Sequence, residues 1–198
     1  MNRAILTALL LSVALTASSK TKLLEHIPLE WRPTSALQLG TTQMTVSTVT
    51  IAPFTDGRDN KELIGENRED ATPKPVTTTD DVGAFVSTNI RELFNQAGLK
   101  TVDSNAEVII KGEVKQFFVR EESTYKSTVV IHLTVIDQAG KTLWNGLASG
   151  EATRFGRSYK AENYYEVLSD AVVNTVSSML QAAEFRNALS GHGIEPST

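Results

Sequence analysis

The 198-residue chain has no cysteine, which excludes disulfides, thiolate zinc sites and a thiol nucleophile. Histidine is nearly as scarce. His26, His132 and His192 stand far apart, no two share metal-ligand spacing, and neither His-x-x-x-His nor Glu-x-x-His occurs. No charge of one sign dominates: 19 Lys+Arg face 23 Asp+Glu, a formal net charge of −4 with pI near 5.4, which argues against the broad basic face of a nucleic-acid binder. The chain also lacks a Walker loop, a Gly-x-Gly-x-x-Gly and a Gly-x-Ser-x-Gly.

The fragments of catalytic motifs that remain are incomplete. Ser123-Thr124-Tyr125-Lys126 has the Ser-x-x-Lys form of penicillin-recognising enzymes, but its partners Ser-Asp-Asn and Lys-Thr-Gly are missing. Asp56-Gly57-Arg58-Asp59-Asn60 lacks the alternating oxygen ligands and terminal glutamate of a calcium loop, so it reads as a charged turn. Asp80-Asp81 and Glu121-Glu122 are neighbouring carboxylates, which in a strand point to opposite sides and make a poor acid–base pair. His132 falls mid-strand and reads as an outward strand residue. The expectation is a protein with no catalytic residues, no metal and no cofactor.

No apolar run reaches the roughly 20 residues that a spanning helix needs. The apolar stretch at residues 4–17 follows Arg3 and precedes Ala17, Ser18 and Ser19, so residues 1–19 read as an export signal. Within it, Leu15, Thr16, Ala17 and Ser18 have the form of a bacterial lipoprotein processing site with serine where the lipid-bearing cysteine belongs. A serine oxygen cannot form the thioether, so the chain as written is expected to be exported to the periplasm without the acyl anchor.

Residues 20–43 read as an extended leader with apolar anchors at Leu24, Ile27, Leu29 and Trp31. Alternation over residues 44–53 predicts a strand, and residues 61–79, with Pro73, Pro75 and a threonine run, read as a long surface loop. Thr79-Asp80-Asp81 supplies capping oxygens for a helix whose stripe is Val82, Phe85, Val86, Asn89, Ile90, Leu93, Phe94 and Ala97, with Gly98 as a left-handed stop. Three strands follow at residues 106–119, 126–137 and 142–155. The first is expected to put Val108, Ile110, Gly112, Val114, Gln116 and Phe118 on one side, and the second Val129, Ile131, Leu133 and Val135. Gly146 and Gly150 suggest a bulge or a close backbone approach. A second helix over residues 163–181 starts on an Asn163/Glu166 capping box, and residues 187–198 read as a flexible tail.

The order β-α-β-β-β-α predicts a two-layer α+β sandwich: about four mostly antiparallel strands with two helices on one face. The domain is expected over residues 44–186. The other sheet face (Val130, His132, Thr134, Ile136) is mixed, hence either solvated or a docking face. Tyr159, Tyr164 and Tyr165 cluster near Arg154, Phe155 and Arg157. Either Tyr164 staples the second helix to the sheet and the others cover it, or Arg154, Arg157, Tyr159 and Tyr165 form a contact patch for a protein partner.

The lipoprotein-type signal, Asp56-x-Arg58 after the first strand, the Ala97-Gly98 helix end, the strand opening Ala106-Glu107-Val108-Ile109-Ile110 and the final helix together resemble the YajG-type family of bacterial envelope lipoproteins over roughly residues 44–186. The resemblance implies a Gram-negative envelope protein with no established activity, peripheral to the outer membrane where a lipidated cysteine is present. A similar layout occurs in small lipoproteins that serve as accessory subunits of envelope machines. The sequence therefore points to a non-enzymatic accessory or scaffold domain that binds another envelope protein. The alternative is a carrier of a small lipid or glycan ligand, which requires a cavity lined by Phe94, Phe117, Phe118 and Met179.

Overall fold

The computed structural model describes residues 23–39 and 48–191. The expected export signal with Leu15 to Ser18, residues 44–47 of the first expected strand, His192 and the last residues of the expected tail lie outside them. The strands are β1 (Val49–Ile51), β2 (Thr55–Asp56), β3 (Leu63–Asn67), β4 (Lys74–Thr77), β5 (Val108–Glu121), β6 (Thr124–Asp137) and β7 (Thr142–Phe155). The helices are α1 (Val82–Gln96), α2 (Ala161–Gln181) and α3 (Ala183–Leu189).

The α+β class holds, but among the described residues the sheet has seven strands rather than about four, in the order β4-β3-β5-β6-β7 with β1 and β2 also on β5. The difference has a simple origin. β1, β2 and β3 pair in parallel with residues 108–110, 113–114 and 119–121 of β5, so the chain from Val49 to Asn67 accompanies β5 as one broken strand. It breaks after Ala52, whose N–H still donates to Ile110 O, at Pro53 and Phe54, and again where the Asp56–Arg58 turn intervenes. The segment expected to be a loop at residues 61–79 contains the β3–β4 hairpin, whose only deep anchors are Ile64 and Val76. Pro75 sits within β4, a strand short enough to have read as loop.

β5, β6 and β7 form an antiparallel meander. A bulge at Lys115, between the Val114–Ile131 and Gln116–Val130 pairs, reverses the alternation of β5 halfway along. The core side therefore reads Val108, Ile110, Val114 and then Phe117 and Val119, which corrects the expected placement of Gln116 and Phe118 there. β6 carries no such slip, and Val129, Ile131, Leu133 and Val135 are buried as its period of two predicts.

α1 begins where expected: Asp81 is its N-cap and accepts from Ala84 N at 3.0 Å, and Gly98 takes φ +82° beyond its end. α2 starts two residues earlier than the capping box implies, with Lys160 as an N-cap whose side chain makes no cap bond. Asn163 lies inside the first turn and donates to Tyr125 Oη and Ser158 Oγ, while Glu166 pairs with Arg154. At Gly150 a Cβ would fall 2.3 Å from Ala171 O and Thr175 N, so glycine is what lets α2 lie directly on β7. The bulge of β7 is elsewhere, at Leu143. The expected tail from residue 187 begins inside α3, which buries Phe185, Ala188 and Leu189 and packs Phe185 edge-on against Trp144.

The leader is a strap. Leu24 bridges Val76, and Leu24, Ile27, Leu29, Trp31 and Leu37 all pack on the core. Its main chain then crosses α2: Arg32 N donates to Ser169 Oγ, Thr34 N and Ser35 N to Asp170 Oδ1, and Gln38 N to Ser177 Oγ. α2 is consequently buried on both sides, with Ser169, Asp170 and Ser177 as polar docking points for backbone donors.

Candidate docking surface

The Asp56–Arg58 pair closes the gap between β2 and β3. Arg58 Nε and one terminal nitrogen bond both oxygens of Asp56 at 2.9 and 2.8 Å. Its guanidinium also donates to the carbonyls of Lys61 and Leu63 at 2.5 and 2.8 Å. Partial burial works against ionisation of Asp56, but the hydrogen bonds and charge of Arg58 outweigh it and hold the carboxyl below its ordinary range. A depressed folded-state pKa gives stability that is present above the unfolded value of about 3.9 and is lost as pH falls through the folded one. Asp56→Asn should therefore flatten the acid limb of a denaturation-midpoint profile below about pH 4. An unchanged acid limb would show that the pair contributes nothing.

The expected contact patch does not come together on the surface. Tyr165 is only 5% exposed and lies under Arg32 of the strap, 5.6 Å from its ring centroid. Tyr159, at φ +41°, is a seam residue. Its hydroxyl accepts from Leu24 N at 3.1 Å and donates to Pro75 O at 3.2 Å, and its own N–H donates to Glu121 Oε1 at 2.9 Å. Arg154 is taken up by Glu166, and Arg157, 67% exposed, lies 3.5 Å from Glu69. The staple reading suits the tyrosines better, and Arg157 is the one member of the four that stands in solvent.

Sequence reasoning missed the hub beneath them. Glu121 is fully buried and accepts from Tyr164 Oη at 2.8 Å as well as from Tyr159 N. Burial, and then the Glu121 hydrogen bond and charge, push the Tyr164 phenol far above its usual range. Tyr125 packs edge-on against Tyr164 and its hydroxyl receives Ser158 N at 3.1 Å. Nothing marked Glu121 out in the sequence, because β5 also carries Lys111, Glu113, Lys115, Gln116 and Arg120. The hub is structural: its groups are satisfied by one another and face inward.

Among the described residues no helix covers the other sheet face. His132 Nε2 lies 3.1 Å from Asn145 Oδ1, and Asn145 Nδ2 donates to Thr134 Oγ1 at 2.8 Å, a polar ladder beside a shallow cleft lined by Pro53, Lys111 and Glu113. Phe118, moved here by the bulge, lines a second shallow depression with Arg120 and Lys126. It thus faces away from Phe94, Phe117 and Met179, and the four do not line one cavity as a ligand carrier would require. Two large apolar side chains protrude on β7: Leu147, 66% exposed, and Phe155, 87% exposed. Phe155 stands two residues before Arg157 in the chain.

One sheet, a helical layer on one side and a leader strapped across it define a small α+β protein. The chain belongs to the family described as Uncharacterized lipoprotein, whose pattern spans residues 34–190, and family membership makes it an exported envelope protein. Curated protein sequences offer no match. Among solved structures, a Xanthomonas campestris protein of the DUF330 family is similar at 9% identity and TM-score 0.55, covering 75% of this chain and 90% of its own, which shows the fold. A Caulobacter crescentus protein described as a candidate lipoprotein gives 10% identity and TM-score 0.45 over 64% of this chain and 91% of its own. The PelC dodecamer from Paraburkholderia phytofirmans gives 16% identity and TM-score 0.42 over 71% of this chain and 96% of its own.

Proposed function

We propose that this chain is a non-enzymatic accessory domain of the YajG type, acting in the periplasm and holding another envelope protein on the helix-free face of its sheet. The observation that carries the reading is the pair Leu147 and Phe155, exposed on a face that nothing in the described residues covers. Isolated exposed leucines are ordinary, but a phenylalanine 87% in water, two residues from an exposed arginine, has the composition of a contact hot spot. Arg157 supplies that cation, while Arg154, Tyr159 and Tyr165 are engaged by Glu166, the strap and Glu121 and take no part in the contact.

A photo-crosslinking residue at position 155, in cells exporting the protein, should capture one envelope protein repeatedly. The same residue at position 162, on the first turn of α2, should not. Combining Phe155→Ser with a crosslinker at 157 should reduce capture at least tenfold and shift the melting temperature by no more than about a degree, because Phe155 is exposed. A folded, exported protein that captures nothing at 147, 155 or 157 would sink this reading.

A further inference from the structure

The two edges of the sheet are treated differently. At the β4 edge the strap supplies main-chain partners: Thr77 N donates to Leu24 O at 3.0 Å and Ile27 N to Thr77 O at 2.8 Å. The β7 edge has no strand partner among the described residues, although β7 is 14 residues long. Long exposed edges are normally blunted by lysines, prolines or charges. Residues 142–150 (TLWNGLASG) contain none of these.

The hydrogen bonds fix which groups of that edge are free. Asp137 N donates to Lys141 O in the β6–β7 turn, so odd-numbered residues of β6 face β7, and their partners on β7 past the bulge are the even-numbered residues. The main-chain groups of Asn145, Leu147, Ser149 and Glu151 therefore point outward. The Glu151 carbonyl fits this assignment, because it is capped from α2 by Asn174 Nδ2 at 2.7 Å. The cap marks one end of the open stretch and the Leu143 bulge marks the other.

Beside that stretch runs an uncharged groove of about 230 Å³, lined by Trp144, Leu147, Ala148, Met179, Ala182 and Phe185. Unpaired backbone with an apolar slot alongside it is what strand addition requires: the main chain supplies affinity and the slot selects alternate side chains. We propose that the β7 edge binds an extended segment of a partner protein as an added antiparallel strand, with bulky apolar side chains at alternate positions seated in this groove. A second copy of the chain is the poorer occupant. On the groove side its own β7 would present Trp144, already packed edge-on against its own Phe185, and beyond it only Gly146, Ala148, Gly150 and Ala152, too small to fill the slot at alternate positions. Leu147 is shared by the two surfaces, but Phe155 lies beyond the open stretch of the β7 edge, and strand addition is tested on purified protein, so it can fail while crosslinking at 155 succeeds.

The probe is a labelled decapeptide of alternating threonine and leucine with a lysine at each end, titrated against the full chain by fluorescence anisotropy. Saturable binding is expected. N-methylation of the threonine amides, which face β7 when leucine fills the groove, should abolish it, whereas N-methylation of the leucine amides should leave it within about threefold. Ser149→Pro removes only an outward N–H and should weaken binding at least tenfold with the melting temperature nearly unchanged. Should that variant fail to fold, Ala182→Trp, which fills the groove from an exposed position, should give the same loss. No saturable binding, equal effects of the two methylation patterns, or binding unaffected by both substitutions would overturn the proposal. A dimer of the wild type that Ser149→Pro converts to monomer would also overturn it, in favour of a second copy.

Discussion

Tyr164→Phe is expected to lower the unfolding free energy by about 3 kcal/mol, a large effect for the loss of one oxygen. Glu121 lies fully buried, with Tyr164 Oη and Tyr159 N as its donors at 2.8 and 2.9 Å. A hydrogen bond to a charged group is worth about 1.5–3 kcal/mol, and stranding a buried carboxylate oxygen adds its desolvation cost. Glu121→Gln should cost less, because the amide oxygen still accepts one of the two donors. Urea midpoints at neutral pH separate these cases, and a Tyr164→Phe loss below about 1 kcal/mol would mean that solvent reaches the carboxylate. The same pair predicts an alkaline signature. Burial and Glu121 raise the folded-state pKa of Tyr164, so its contribution is fully present below the unfolded value of about 10 and is lost as pH rises beyond it. The wild type should thus lose stability between pH 9 and about pH 11 more steeply than Tyr164→Phe does.

What could be read from the sequence was whatever side-chain periodicity encodes. β6 alternates over its whole length and α1 shows one clean stripe, so both could be placed to within about two residues with their buried faces. β5 was legible only as far as Lys115. A bulge leaves no mark in composition, and one extra residue sends Phe117 inward and Phe118 outward. The β3–β4 hairpin was hidden because each strand has a single deep anchor, Ile64 or Val76, and a lone apolar residue carries no period. The tyrosine cluster was found but its exposure was not. Tyr165 and Tyr159 are covered by a strap held through its own backbone, and main-chain donors leave no trace in a side-chain pattern. For the same reason Ser169, Asp170 and Ser177 look like a solvent face of α2 when they are buried acceptors. Exposure of Phe155 was equally illegible, since alternation assigns a residue to a face of the sheet but not the cover over that face.

Removing the strap's main acceptor should produce the other large effect. Asp170 Oδ1 receives Thr34 N and Ser35 N, both at 2.7 Å, and Oδ2 receives Thr34 Oγ1 at 2.5 Å. Asp170→Ala deletes all three contacts at once, leaves two backbone N–H groups facing an apolar helix surface and should cost about 2–4 kcal/mol. Asp170→Asn keeps an oxygen for the two N–H groups, and the Thr34 hydroxyl can rotate to accept from the new amide, so it should lose less than half as much. The loss should be local first. Leu24 is still bridged to Val76 and Leu29 N still donates to Asp80 Oδ2 at 2.8 Å, so the strap should peel from its Gln38 end. Hydrogen exchange at Thr34 and Ser35 in Asp170→Ala should accelerate at least a hundredfold while amides of β6 keep most of their protection. Uniform loss of protection across the strap and β6 would show instead that the strap unfolds only with the sheet. In that case the leader is a structural member of the core layer rather than a tether laid over it. Either result fixes how firmly the leader is tied to the domain, and so whether the strap and the sheet move as one unit.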